Sequence, residues 1–342
     1  MPHGMRRRWV ATALLLAVAT LGSDTPLMAA AETIETSARA ISQFRIGSAE
    51  RRFGNLEFVG GFSYRSSDRR LAGVSAIRMR DGGERFLAVT DAGLWFAGAI
   101  RRDGEGRPVG LGDTRLAPML DANGRTYGRK SDADAEGLAL AGGRAIVSFE
   151  GRHRIESFAL PAGDALPDGE RPRPVPMPLT RDELRSNGGI ETIAVAPATS
   201  PLKGATVVVA ERSIDENGNL YGAILERGVK GLFAVRRQLP WAVTDGAFLP
   251  DGDLVLLERR YEGFGRIGMR LRRIAGSDIR PGATVDGPVM LEADLGNEID
   301  NMEGLDIWRN AAGETVLSLV SDDNGSLFQR NLYLEFQLVS PD

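Results

Sequence analysis

Asp134-Ala135-Glu136-Gly137-Leu138-Ala139-Leu140, the turn Ala141-Gly142-Gly143, and Ala145-Ile146-Val147-Ser148-Phe149-Glu150 read as two short apolar strands joined by a tight glycine turn. A carboxylate stands at each outer end. The strand pattern recurs four times, with the second carboxylate in every repeat and the first in all but the one where Ser75 stands. Gly73-Val74-Ser75-Ala76-Ile77 leads to Phe86-Leu87-Ala88-Val89-Thr90-Asp91, and Gly189-Ile190-Glu191-Thr192-Ile193 leads to Val207-Val208-Val209-Ala210-Glu211. Thr244-Asp245-Gly246-Ala247-Phe248 leads to Leu254-Val255-Leu256-Leu257-Glu258, and Asn301-Met302-Glu303-Gly304-Leu305 leads to Val316-Leu317-Ser318-Leu319-Val320-Ser321-Asp322. Aligned on the first polar position, the repeats start at Ser75, Glu136, Glu191, Asp245 and Glu303, at intervals of 61, 55, 54 and 58 residues. Units of this length, with two apolar strands and further outer strands, are the signature of propeller blades. The apolar runs are continuous, as strands packed on both faces require.

The expected fold is therefore an all-β propeller. Five repeats leave two strand-like stretches, Phe53 to Tyr64 and Leu332 to Leu338, whose pairing would close the ring. Closure matters because an open ring exposes unpaired edges. Built as a blade of their own they make six blades, the count the sequence favours, with five as the alternative. The propeller occupies residues 53–340 as a single domain, and residues 32–52 read as a linker.

Residues 1–31 read as an export leader: Arg6, Arg7 and Arg8, then the apolar run Trp9 to Leu21, then Ala29-Ala30-Ala31 as a cleavage site. The run is shorter than the roughly 20 residues a membrane span needs, so no stable span is expected once the leader is removed. The paired arginines leave the Sec and twin-arginine routes both open, and the destination is periplasmic or secreted. The 342 residues contain no cysteine, which excludes disulfides and thiolate metal sites. The net charge of −4 comes from mixed signs with no basic block, which argues against nucleic-acid binding. A monomer acting on a small anionic substrate is expected.

The aligned carboxylates carry the chemistry. In antiparallel neighbours the start of one strand and the end of the next share a sheet edge, so Glu136, Glu191, Asp245 and Glu303 should meet Asp91, Glu150, Glu211, Glu258 and Asp322 at one mouth of the channel. Acids at that density repel one another and resist desolvation. Calcium, which takes several oxygen ligands, would relieve them; so would Arg152, Arg154, Arg212, Arg259 and Arg260 nearby. A cation-dependent anion site and an inter-blade salt-bridge network both remain open. Asp132-Ala133-Asp134-Ala135-Glu136-Gly137 resembles the first half of a calcium loop, although an EF-hand would need its glutamate where Gly143 stands. His3 and His153 are the only histidines, which excludes a histidine-rich zinc site. His153 reads as a phosphate donor or an ordinary surface residue. Gly263-Phe264-Gly265-Arg266-Ile267-Gly268 matches a dinucleotide fingerprint in letters only, since an alternating strand pattern follows it.

The blocks Asp134-Ala135-Glu136-Gly137-Leu138, Ser148-Phe149-Glu150 with Arg154-Ile155, Gly189-Ile190-Glu191, Asp245-Gly246-Ala247 with Leu257-Glu258-Arg259-Arg260, and Asn301-Met302-Glu303-Gly304-Leu305 together resemble the phytase-like proteins named for esterase-like activity, over roughly residues 53–338. The resemblance implies a metal-dependent phosphoester or ester hydrolase akin to calcium-dependent propeller phytases. It implies Asp91, Glu136, Glu150, Glu191, Glu211, Asp245, Glu258, Glu303 and Asp322 as metal ligands, to which the calcium-loop pattern adds Asp134. Arg152, Arg154, Arg212, Arg259 and Lys130 become substrate contacts, His153 between two arginines joins them as a candidate phosphate donor, and Glu136, Glu191 and Glu303 are the candidate catalytic carboxylates. Two rival readings stand beside this one: a non-catalytic ligand- or protein-binding propeller, and a metal-free esterase or lactonase with Glu136 as base.

Overall fold

The computed structural model describes residues 30–340 except 164, 181, 182, 264, 265 and 327; the expected leader lies almost wholly outside them. The alternation inside each apolar run decides the architecture. Along Leu254–Tyr261, Leu254 and Leu256 pack with Val207 and Val209 of the preceding repeat, whereas Val255 and Leu257 pack with Leu305 and Leu319 of the following one. Successive side chains leave a strand on opposite faces, so a strand apolar at every position must be sandwiched. Five buried clusters result among the described residues, each lying between two adjacent sheets. A closed ring of five sheets needs that arrangement.

The ring is a five-bladed propeller. The first blade comprises Val74–Arg80, Arg85–Thr90, Leu94–Arg102 and Pro108–Pro118, and the second Ala135–Ala141, Arg144–Phe149, Arg154–Ala159 and Arg173–Val175. The third contains Ile190–Val195, Thr206–Ile214, Leu220–Ile224 and Leu232–Val235, with Thr284–Val285 added in parallel at its edge. The fourth contains Ala242–Phe248, Leu254–Tyr261, Ile267–Ile274 and Val289–Asp294. In the fifth, Asn301–Arg309, Thr315–Asp322 and Asn331–Leu338 are joined by the N-terminal strands Leu56–Ser66 and Thr36–Ile41. The two ends of the chain do close the ring, but as outer strands of the fifth blade. This gives the smaller of the two blade counts that the repeat allowed. Residues 32–52 are correspondingly more than a linker, since Glu32–Thr33 pairs with the first blade and Thr36–Ile41 with the fifth. Among the described residues no helix is long and apolar enough to cross a membrane.

The five inner strands converge on a channel that one ion pair closes. Arg78 of the first blade and Asp245 of the fourth meet through two parallel bonds, Nη1–Oδ2 at 2.9 Å and Nη2–Oδ1 at 3.0 Å. Asp245 is completely buried, and the Arg78 side chain is 8% exposed. The same guanidinium donates to the carbonyls of Leu305 and Ile193, while Asp245 accepts the backbone N–H groups of Leu305 and Gly246. Four blades are thereby tied at the axis. Ala139, Ala194 and Ala247 line, with Arg78, a cavity of about 220 Å3.

A buried pair is costly to assemble but costlier to halve, because the remaining charge has no partner. Arg78→Met is expected to lower the unfolding free energy by about 3–5 kcal/mol, with Arg78→Met/Asp245→Asn recovering part of the loss. Denaturant unfolding checks this; a single variant within about 0.5 kcal/mol of the parent would remove the plug from the account.

Candidate functional site: the acidic mouth

Each inner strand reaches the mouth with one residue more than its partner, and in four of the five blades the extra residue aims its side chain into the opening. In the first blade Val74 pairs with Thr90 and Ala76 with Val89, so Ser75 is the bulge. The same reasoning gives Glu191 in the third blade and Glu303 in the fifth. In the second, Glu136 and Gly137 stand opposite Ser148 alone. A bulge re-aims a side chain in this way without ending the strand. Gly137 is required beside it, because a Cβ there would stand 2.3 Å from the Glu191 carbonyl of the adjacent blade.

The fourth blade is one residue out of step with the sequence alignment. Val243 pairs with Glu258 and Asp245 with Leu257, so Thr244 is the bulge. Arg259, opposite Ala242, occupies the position held by Asp91, Glu150, Glu211 and Asp322 in the other blades. A shift of one residue reverses every side chain. Asp245 consequently points down the channel to Arg78. Glu258 turns into the blade, where Arg270 Nε lies 2.5 Å away and Arg272 Nη2 2.6 Å. Neither lines the mouth.

The mouth encloses a cavity of about 290 Å3, lined by Asp91, Asp134, Glu136, Glu150, Glu191, Glu211, Glu303 and Asp322 against only Lys130, Arg212 and Arg259. Eight carboxylates facing three cations leave an excess of negative charge. Part of it is dispersed from blade to blade around the ring. Asp91 accepts from Lys130 Nζ at 2.6 Å, and Glu150 Oε1 accepts the backbone N–H groups of Gly188 and Gly189 at 2.5 and 2.9 Å. Arg259 Nη1 holds Asn301 Oδ1 at 2.5 Å and also Glu303, with its Nη2 3.6 Å from Glu211. Asp322 completes the circuit by accepting the Gly73 N–H at 2.8 Å.

Glu136 and Glu191 are left out. Among the described residues neither accepts a hydrogen bond nor makes an ion pair. Burial, reinforced by Asp134 and Glu150, pushes Glu136 well above the usual carboxylate range, and burial with Glu136 and Glu211 does the same to Glu191. Burial takes Asp134 up to about 6 despite Lys130, and Asp322 up to about 7 despite the Asn324 N–H. Glu211 and Glu303 rise through burial against the pull of neighbouring arginines. Two sets of carboxylate oxygens lie within 4.8 Å of one another, Asp134–Glu136–Glu150 and Glu150–Glu191–Glu211, and they share Glu150.

Three expected substrate contacts lie away from this cavity. Arg152 faces solvent beside Asp132 at 3.3 Å. Arg154 lies 3.8 Å above the Phe149 ring centroid and donates to the Asp132 carbonyl. His153 is buried, its Nε2 donating to the Arg185 carbonyl at 2.9 Å and its Nδ1 without a partner. Asn187 and Asn324 line the mouth unanticipated. Asn324 sits in an Asp-Asp-Asn-Gly stretch, a weak cation-site pattern that more often marks just a turn, and Asn187 carries no local signal.

A closed-channel propeller with an acid-lined mouth is the class that fold and site define. The chain belongs to the phytase-like family, described by the esterase-like activity of phytase, which it matches over residues 69–325. No curated protein matches it. Among solved structures it is similar to the PQQ-bound aldose sugar dehydrogenase of Streptomyces coelicolor, at 12% identity and a TM-score of 0.44, covering 89% of this chain and 99% of that one. It is also similar to a protein of unknown function from Dyadobacter fermentans (12%, 0.42, covering 90% and 99%) and to the calcium-binding regucalcin of Agrobacterium tumefaciens (11%, 0.36, covering 79% and 77%). These similarities are too distant to transfer a ligand or an activity.

The raised carboxyls fix a pH dependence. An acid whose folded pKa lies above its unfolded value binds its proton more tightly in the folded state, so stability declines as pH rises between the two. For Asp134 and Asp322 the interval runs from 3.8 to about 6 and about 7. Chelated protein is therefore expected to melt at a higher temperature near pH 5 than near pH 8. A melting temperature that is flat or rises across that range would contradict the charge excess.

Proposed function

We propose that the protein is an exported, calcium-dependent phosphoester hydrolase acting as a monomer on a small anionic substrate at the acidic mouth. The observation that carries this reading is the pair Glu136 and Glu191 flanking Glu150, set among further acids with no hydrogen bond or ion pair among the described residues. Carboxylate oxygens without histidine or thiolate suit a hard divalent cation. Asp134, Glu136 and Glu150 would hold one ion, and Glu150, Glu191 and Glu211 a second. Bound there, calcium would neutralise phosphate charge and acidify water.

The chain's own groups supply the rest. Arg212, its side chain 43% exposed beside Glu211, and Arg259 and Lys130 present donors that suit a phosphate. Hydrolysis joins a water oxygen to phosphorus, breaks the bond to the ester oxygen, and requires a proton for the departing alcohol. Asp322, pushed up to about 7 by burial, is a mouth carboxyl suited to hold that proton near neutral pH. Export is supported by the basic and apolar opening of the sequence. The rival reading, a binding propeller with structural acids, draws on the bonds that Glu150 and Asp322 make to adjacent blades.

Calcium added to chelated protein is expected to raise both the melting temperature and the rate of p-nitrophenyl phosphate hydrolysis. Saturation at a hundredfold over Kd corresponds to about 2.7 kcal/mol of stabilisation. Glu150→Gln, which removes the carboxylate shared by the two sets, should abolish both responses. A parent protein whose stability and rate ignore calcium would overturn the reading.

A further inference from the structure

A second cavity of about 680 Å3 opens beside the acidic one, and the two share Arg212, Arg259 and Asn324 at their seam. Its character is the opposite. Tyr261 and Ile267 come from the hairpin of the fourth blade, Leu295 from the loop after Val289–Asp294, and Phe328 from the loop before Asn331–Leu338. Tyr261 is 64% exposed, Leu295 45% and Phe328 91%. Three of the seven exposed large hydrophobic residues described in the chain thus gather on one shelf, all within reach of one pair of arginines. Scattered exposed apolar residues need no explanation, but a contiguous patch rimmed by polar groups marks a binding surface.

We propose that this shelf binds the apolar leaving group of the substrate, so that the substrate class is a phosphomonoester of an aromatic or long-chain alcohol. The proposal rests on the mouth's being an anion site. Arg212 and Arg259 hold the phosphate at the seam, and the organic portion lies outward over Tyr261, Leu295 and Phe328. Charge complementarity limits the ligand to one anionic end. Among the described residues the cavity offers no further cation beyond the seam, and it carries the carboxylate of Asp300. A ring bearing phosphates on several sides would set one against that acid and another against an apolar wall.

Phosphonates test this without turnover, because a carbon–phosphorus bond resists hydrolysis. Calorimetric titration of the mature protein in calcium-containing buffer should show phenylphosphonate binding about tenfold more tightly than methylphosphonate, the gain expected from partly burying one ring. Tyr261→Ala/Phe328→Ala should erase the preference, and Val229→Ala, which removes an equally exposed residue of the third blade, should retain it. Equal affinities for the two phosphonates in the parent would overturn the shelf and leave the anion site standing. So would a preference that survives the double variant, or a dimer in sedimentation that Phe328→Ala dissolves. Binding of neither phosphonate would overturn the anion site, and the shelf with it.

Discussion

Five sheets arranged about an axis leave a hole, and the contents of that hole decide whether the ring is rigid. Here the inner strands contribute alanine and glycine from most blades, a single arginine from the first and its partner aspartate from the fourth. A guanidinium that meets a carboxylate in two parallel bonds and also donates to carbonyls of other blades converts the least packable region into a fixed point. Everything above it inherits that geometry. The bulges that follow each strand's start, and the carboxylates on them, are held at the mouth because the strands below cannot slide.

Beneath the mouth the buried acids have partners: Asp306 accepts the Met79 N–H at 2.6 Å, and others meet arginines. Glu258 has Arg270 and Arg272, and Glu335 takes both terminal nitrogens of Arg102 at 2.8 Å. At the mouth the balance stops. The chain that pairs its buried acids elsewhere leaves Glu136 and Glu191 bare, on either side of a third carboxylate already engaged by backbone N–H groups. Buried acids kept unpaired cost stability, and groups perturbed in this way concentrate where function requires them. The asymmetry of the ring supports the same view. One blade replaces its acid with Arg259, which places a cation at one side of the opening, next to the apolar shelf.

Much of this was legible in the sequence because the repeat is physical. Strands packed on both faces must be apolar throughout, and carboxylates at their ends recur with the blade. Eight of the ten expected metal-ligand positions face one cavity. The two that do not, Asp245 and Glu258, fail for one reason. In the fourth repeat an acid happens to stand one residue beyond the bulge and one before the strand end, and letters alone cannot place a bulge. Nothing local distinguishes Arg78 from a surface arginine; only the convergence of five strands makes it central. The blade count turned on whether the terminal strands formed a sheet or completed one, a matter of long-range pairing that no local pattern carries.

The central claim is that the mouth's unpaired carboxylates hold divalent cations. Crystals grown in calcium chloride, with an anomalous difference map, test it most directly. The account requires peaks within coordinating distance of Glu150 oxygens, one shared with Asp134 and Glu136 or one shared with Glu191 and Glu211, or both. A mouth containing only water, with Lys130, Arg212 or Arg259 folded onto Glu136 and Glu191, would contradict it and make the ring of acids a structural network.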